Sequence, residues 1–233
     1  MPTDLTAEQR ARCEDYAEAC IKYKHRWIRY LESLYGATFI REFGMPARIM
    51  CTGAEQLYGQ IVRYNRARCQ DAYVSVNAYE ATVPAPERTQ RVMPDYTRII
   101  PTRLYCDFDY ETKRKKTDKT LADAHADALA FIGWLEGAFH APAAIQLRFS
   151  GSKGFAVEVR QQFTHFQQIE ALCKWAKEHY ETLDVSTDHA RIYRVPYSLH
   201  PRSLRQCIPV PLDWSTEKVL EESTRYRPPP VVI

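Results

Sequence analysis

The chain has 233 residues, of which 45% are hydrophobic and 26% charged, and its formal net charge is +3. That length allows a sizeable core in one large domain or two small ones, and the composition is that of a globular protein, which excludes a disordered or fibrous chain. No apolar run approaches the roughly 20 residues of a membrane-spanning helix, and the weak positive charge permits a polyanionic partner without requiring one.

Met1-Pro2-Thr3-Asp4 lacks the basic and apolar regions of a secretory signal, which points to a cytoplasmic protein. The seven cysteines fit that reading. Cys13, Cys20, Cys51, Cys69, Cys106, Cys173 and Cys207 are odd in number, scattered and never spaced C-x-x-C, so neither a disulfide framework nor a zinc ribbon is indicated. A zinc site assembled from distant residues stays open.

Thr6-Ala7-Glu8-Gln9 reads as a capping box, and Ala7 to about Tyr35 has helix-forming composition with no internal Gly or Pro, ending at Gly36. The stretch Lys22-Tyr23-Lys24-His25-Arg26-Trp27 is basic and aromatic, as a solvated helix face or a nucleic-acid contact would be. A short strand near Ala47 to Met50, a helix from about Ala54 to Arg66 and a strand near Ala72 to Tyr79 follow. Pro84, Pro86, Pro94 and Pro101 make Ala81 to Pro101 a loop or edge excursion.

Leu104 to Glu111 is an aromatic-rich strand. Its period of two puts Asp107 and Asp109 on one face and Cys106, Phe108 and Tyr110 on the other. Two adjacent carboxylates are unfavourable unless a cation sits between them, so the strand is either a divalent-metal site or a solvated edge. Lys113 to Lys116 then form a basic turn.

Leu121, Ala124, Ala128, Ile132, Leu135 and Phe139 mark the buried face of an amphipathic helix. Ala144 to Phe149 and Phe155 to Arg160 read as strands joined by Ser150-Gly151-Ser152-Lys153-Gly154. That loop's glycines, hydroxyls and lysine suit a phosphate, and equally a plain tight hairpin. Thr164-His165-Phe166-Gln167 reads as a capping box for a helix to about Tyr180. From Leu183 to His200 the chain carries Asp184, Asp188, Arg191, Arg194, Ser198 and His200, chemistry for a metal and phosphates or for a surface salt-bridge network. Alternating strands and helices imply an α/β fold. Arg225 to Pro230 is linker-like.

Taken in order, three of these segments resemble the motifs of the archaeo-eukaryotic primase superfamily, the primase-polymerases. The acidic D-x-D closing an apolar strand is matched by Asp107-Phe108-Asp109. A hairpin S-G-x-x-G-x-H is matched by Ser150-Gly151-Ser152-Lys153-Gly154-Phe155 followed by Ala156. The third motif is matched by Leu183-Asp184 with Arg194-Val195-Pro196-Tyr197-Ser198-Leu199-His200, and Arg41-Glu42-Phe43 with Arg48 is a weaker echo of an R-E-F segment.

The resemblance spans roughly Ile40 to Pro211. It implies an α/β core with a mixed β-sheet, a catalytic domain over 37–218, a helical segment over 1–36 and a tail over 219–233. It implies template-directed nucleotidyl transfer from NTPs or dNTPs, with Mg2+ or Mn2+ on Asp107, Asp109 and Asp184, and Asp188 as an alternative third ligand. Ser150, Ser152, Lys153, Gly154, Arg191, Arg194, Ser198 and His200 would hold the nucleotide. Expected partners are a DNA template, a primer strand and further replication domains or subunits such as a helicase or accessory primase domain. Ala156 departs from the pattern, since the motif has histidine there. A divergent branch using Lys153 and His200, an engineered replacement and a binding module without turnover all remain open. A metal-dependent nuclease would use the three acids without needing the phosphate loop.

Overall fold

The computed structural model describes residues 5–36, 40–44, 48–84, 92–101, 103–111, 118–139, 145–160, 165–184, 188 and 190–232. In chain order the elements are α1 (Ala7–Lys22), α2 (Lys24–Tyr35), β1 (Arg41–Phe43), β2 (Ile49–Cys51), α3 (Ala54–Arg63), β3 (Tyr73–Ser75), β4 (Ala78–Tyr79), β5 (Thr82–Pro84), β6 (Val92–Pro94), β7 (Ile99–Ile100) and β8 (Leu104–Asp109). There follow α4 (Leu121–Phe139), β9 (Ile145–Phe149), β10 (Gly154–Val159), α5 (Phe166–His179), β11 (Leu183–Asp184), β12 (Ile192–Arg194), β13 (Leu199–His200), β14 (Arg205–Gln206), β15 (Ile208–Pro209) and α6 (Thr216–Ser223). This is the expected α/β class. Every pairing among the described strands is antiparallel, so the mixing is of helices with strands and not of strand directions.

The chain forms two compact units that are discontinuous in sequence. One comprises residues 1–100, 189–206 and 225–233; the other comprises 101–188 and 207–224.

In the first unit β12, β3, β1 and β2 form a four-stranded sheet in that order. Buried Arg41 donates to the carbonyls of Ser75 and Val76 at 2.8 and 2.9 Å, with its guanidinium 4.5 Å from the Tyr35 ring centre. Glu42 binds Arg48 at 2.8 Å and the Tyr96 hydroxyl at 2.9 Å. The R-E-F segment is thus built into this unit's interior.

Thr6 and Gln9 form the expected capping box, and Gly36 ends α2 at φ 85°. The single helix expected over Ala7 to Tyr35 is instead two. Tyr23 leaves helical geometry at φ −107°, ψ 28°, where its ring stacks on Tyr226 of the tail. The tail is not a loose linker: Arg26 donates to the Pro229 carbonyl, and Arg227 N donates to Gln206 Oε1 at 2.7 Å. The strand expected over Ala72 to Tyr79 splits into β3 and β4, which enter different sheets. Pro84 and Pro94 lie on the two-stranded β5–β6 ribbon, an edge setting that tolerates their missing N–H groups.

The second unit is a five-stranded sheet in the order β11-β8-β10-β9-β15. One face is apolar: Cys106, Phe108, Phe155, Val157, Leu147, Phe149 and Ile208 pack with Ala124, Ala128, Phe131, Ile132 and Leu135 of α4 and with Ile169, Cys173 and Ala176 of α5. The helical spacing of the α4 residues therefore fixes the buried stripe as expected. Thr120 and Asp123 cap α4 reciprocally, with Thr120 N to Asp123 Oδ2 at 2.7 Å and Asp123 N to Thr120 Oγ at 3.3 Å. The cap of α5 is His165 with Gln168, one position beyond the expected box, whose Thr164 lies outside the described residues. Ala47, the Lys113 to Lys116 turn and Ala144 also lie outside them.

Candidate active site

The site grows from the polar face of the five-stranded sheet. Cross-strand partners in an antiparallel ladder share a face. Asp184 pairs with Asp107, Asp107 with Ala156, and Ala156 with Arg148, so these four form one row across β11, β8, β10 and β9. One step along, Asp109 pairs with Gly154; one step the other way, Tyr105 pairs with Glu158. The alternation of β8, with Leu104, Cys106 and Phe108 buried and Tyr105, Asp107 and Asp109 half-buried, carries the acids onto this face.

Gly154 is required where it stands. A Cβ there would fall on Asp109 Oδ1 and the Phe108 carbonyl oxygen, so only glycine lets the hairpin close against the aspartate strand. Gly151 turns the loop at φ 85°, and Ser150 N donates to the Gly154 carbonyl at 2.9 Å. The loop thereby delivers Lys153 to the acids: its Nζ lies 3.1 Å from Asp109 Oδ2 and also donates to the Glu111 carbonyl. Ser150 Oγ is buried with no hydrogen-bond partner among the described residues.

Burial pushes the Asp109 carboxyl up to about 6. The nearby Asp107 charge adds to the rise, Lys153 opposes it, and Asp184 contributes a smaller upward push. Loss of hydration is the main cause, because burial disfavours the charged form, and the like charge of Asp107 adds to it. Among the described residues no group of three His, Cys, Asp or Glu side chains is drawn together tightly enough to hold an ion. The donors near Asp109 are nevertheless all carboxylates, the hard oxygen ligands that suit Mg2+ or Mn2+, and Asp107 and Asp184 both push its proton affinity up. In kind the residues fit a divalent cation. Asp188 is exposed and outside the sheet, whereas Asp184 is paired with Asp107.

Arg191, Arg194, Ser198 and His200 fall in the first unit. Arg194 is buried, donates to Asp71 Oδ1 at 2.5 Å and to the Tyr73 hydroxyl at 3.0 Å, and lies over the Tyr73 ring. The Arg191 carbonyl accepts from Val76 N at 2.8 Å. His200 Nδ1 accepts from Ser203 N at 3.0 Å, which leaves the ring proton on Nε2. Burial, then the Arg194 charge, pushes His200 down to about 4, so it is neutral at pH 7. Ser198 is fully buried and its hydroxyl donates to the Val195 carbonyl at 2.6 Å, which shapes the turn.

The sequence reading did not find the charge cluster beside this row. Fully buried Glu158 is 2.5 Å from Arg103 Nη1 and 3.5 Å from Arg160 Nε, and it also pairs with Arg148. Burial alone would raise its pKa, but the three guanidiniums outweigh that and hold it below the usual range. Arg160 is two residues away in sequence, but Arg103 and Arg148 come from other strands or loops of the unit.

No protein-family model and no curated protein sequence matches the chain. The fold is similar to that of a solved polymerase domain. That structure is the polymerase domain from Mycobacterium tuberculosis Ligase D in complex with DNA, which superposes with a TM-score of 0.52 at 13% identity over 90% of this chain and 88% of that one.

Proposed function

We propose that the protein is a DNA primase or primase-polymerase that transfers nucleotides from NTPs or dNTPs to a 3′-hydroxyl with release of pyrophosphate. The observation that carries this reading is the register of the five-stranded sheet, in which Asp107, Asp109 and Asp184 share a face with the Ser150 to Gly154 hairpin. Three acids alone would equally suit a nuclease. A hairpin that brings Lys153 to Asp109 and buries an unpartnered Ser150 hydroxyl favours a reaction with a phosphate chain to hold. The polymerase-domain fold supports the same choice.

Asp107, Asp109 and Asp184 would hold Mg2+ or Mn2+. When bound, the metal supplies activation of the attacking hydroxyl and neutralisation of the triphosphate. Lys153, Ser150, Ser152 and the Gly154 backbone hold the phosphates in line, the positioning that accounts for most of the rate in phosphoryl and nucleotidyl transfer. Arg191, Arg194 and His200 are further phosphate contacts on the strength of the sequence resemblance. The nucleic-acid substrate is a template with a primer strand.

The test is extension of a labelled primer on a DNA template with dNTPs or NTPs and Mn2+, run beside Asp107→Ala and Asp109→Ala. Extension that both substitutions abolish is the expected result. Retained DNA binding with neither extension nor primer synthesis would instead identify a binding module.

A further inference from the structure

Residues 19–31 contain Lys22, Lys24, Arg26 and Arg29 and no acid; residues 223–233 contain Arg225 and Arg227 and again no acid. Residues 19–31 and 225–233, which hold all six of these cations, belong to the first unit and meet at a pair of tyrosines. The rings of Tyr23 and Tyr226 stack at 6.4 Å with an interplanar angle of 26°. Lys22 and Arg26 each lie 5.6 Å from the Tyr23 ring centre, and Tyr16 meets Tyr226 edge-on at 5.6 Å. Arg26 binds the Pro229 carbonyl at 2.6 Å and ties the tail down beside the helix break.

The charge at this junction is out of proportion to the rest of the molecule. Six positive side chains against a total of +3 leave a net charge of −3 for everything else, since 3 − 6 = −3. Lys22, Lys24, Arg29 and Arg225 are exposed, as is His25, while the two tyrosines are partly exposed. Surface charge normally mixes signs, because gathering like charges costs folding stability. The break at Tyr23 also sacrifices helix continuity to put an aromatic ring among these cations.

We propose that this surface binds single-stranded nucleic acid, with phosphates on the basic side chains and an unpaired base on the tyrosine pair. Phosphate attraction alone would serve any polyanion. A ring flanked by cations adds a stacking platform that only an unpaired base can use. The choice of nucleic acid among polyanions rests on the function proposed above.

Binding of a fluorescent single-stranded oligonucleotide by the full chain is measured as a function of salt. The charge reversals Lys22→Glu, Lys24→Glu and Arg29→Glu together should weaken binding tenfold or more. They should also lower the slope of log affinity against log salt by about 2, at roughly 0.7 per phosphate contact. Tyr23→Leu, which keeps an apolar side chain but removes the ring, should weaken binding about fivefold or more with the slope unchanged. Circular dichroism and thermal midpoints establish that each variant is folded.

Unchanged affinity and slope in the triple variant would overturn the proposal. So would a duplex of equal length bound as tightly as the single strand with no sensitivity to Tyr23→Leu. Primer extension read on the same samples separates the two inferences. Extension that persists with binding untouched by the reversals removes this surface and leaves the enzyme; binding lost on reversal in a protein that never extends primers does the opposite.

Discussion

Ala156 pairs with Asp107 on one side and with Arg148 on the other, so the position where the resembled motif has histidine lies between a carboxylate and a guanidinium. It is only 2% exposed. An imidazole there must displace packed neighbours, and overfilling of this kind costs about 1–3 kcal/mol. Ala156→His should therefore lower the urea midpoint without raising nucleotide affinity much. A tenfold gain in extension at unchanged stability would show instead that the site is one from which a histidine has been removed.

Asp109 is arranged for a cation at the expense of the protein without one. Its carboxyl titrates near 6 when folded, against 3.8 for the ordinary group. The folded state therefore binds the proton more tightly, and the penalty is fully present above pH 6 and disappears as pH falls toward 3.8. Asp109→Asn should stabilise the protein in chelator at pH 7 by up to about 3 kcal/mol, less what Lys153 loses as a partner. The same change should reduce primer extension at least about a hundredfold, because metal-borne charge stabilisation is worth several kcal/mol. Destabilisation with extension retained would contradict both the charge argument and the metal assignment.

How much of this was legible in the sequence depends on the range of the interaction. The period of two in Leu104 to Asp109 gave the shared face of Asp107 and Asp109, and the α4 spacing gave its buried stripe, because both are properties of a single element. That Asp184 is the partner of Asp107 depends on β11 joining the far side of β8, a tertiary pairing no local pattern announces. The break at Tyr23 has no Gly or Pro to mark it, and the ring it stacks on there, Tyr226, is nearly the whole chain away. Ser198 matches the motif by identity, but its hydroxyl is used inside its own turn.

Two histidines should make the protein sensitive to mild acid. His200 is held down to about 4, and His125 is lowered by burial, its ring stacked on Phe155 at 4.2 Å and its Nδ1 3.0 Å from Thr216 Oγ. Both are neutral when folded, whereas an unfolded histidine takes up its proton near 6.5. Stability is fully present above that pH and is lost as pH falls toward the folded values. Asp109 works in the opposite direction over much of the same range, so the wild-type curve is a partial cancellation. Urea midpoints at pH 7 and pH 5 should fall more steeply in Asp109→Asn than in wild type, and less steeply in His200→Gln. Parallel curves for all three would rule out these protonation couplings.

Glu158 is the anchor of the polar face. One fully buried carboxylate serves Arg103, Arg148 and Arg160, and two of those arginines are themselves almost wholly buried. Replacing such a pair by well-packed apolar groups is often neutral, but removing one member alone leaves charges buried without a counterion. Glu158→Gln should therefore cost about 3–5 kcal/mol, read from chemical denaturation, far more than the surface pair Arg98–Glu80, whose loss should change stability by less than about 1 kcal/mol. Because Glu158 lies on β10 with Gly154 and Ala156, the damage should extend to the hairpin that carries Lys153. A Glu158→Gln protein of wild-type stability would mean that the three guanidiniums are balanced by other groups, with the row of Asp184 and Asp107 the first candidate.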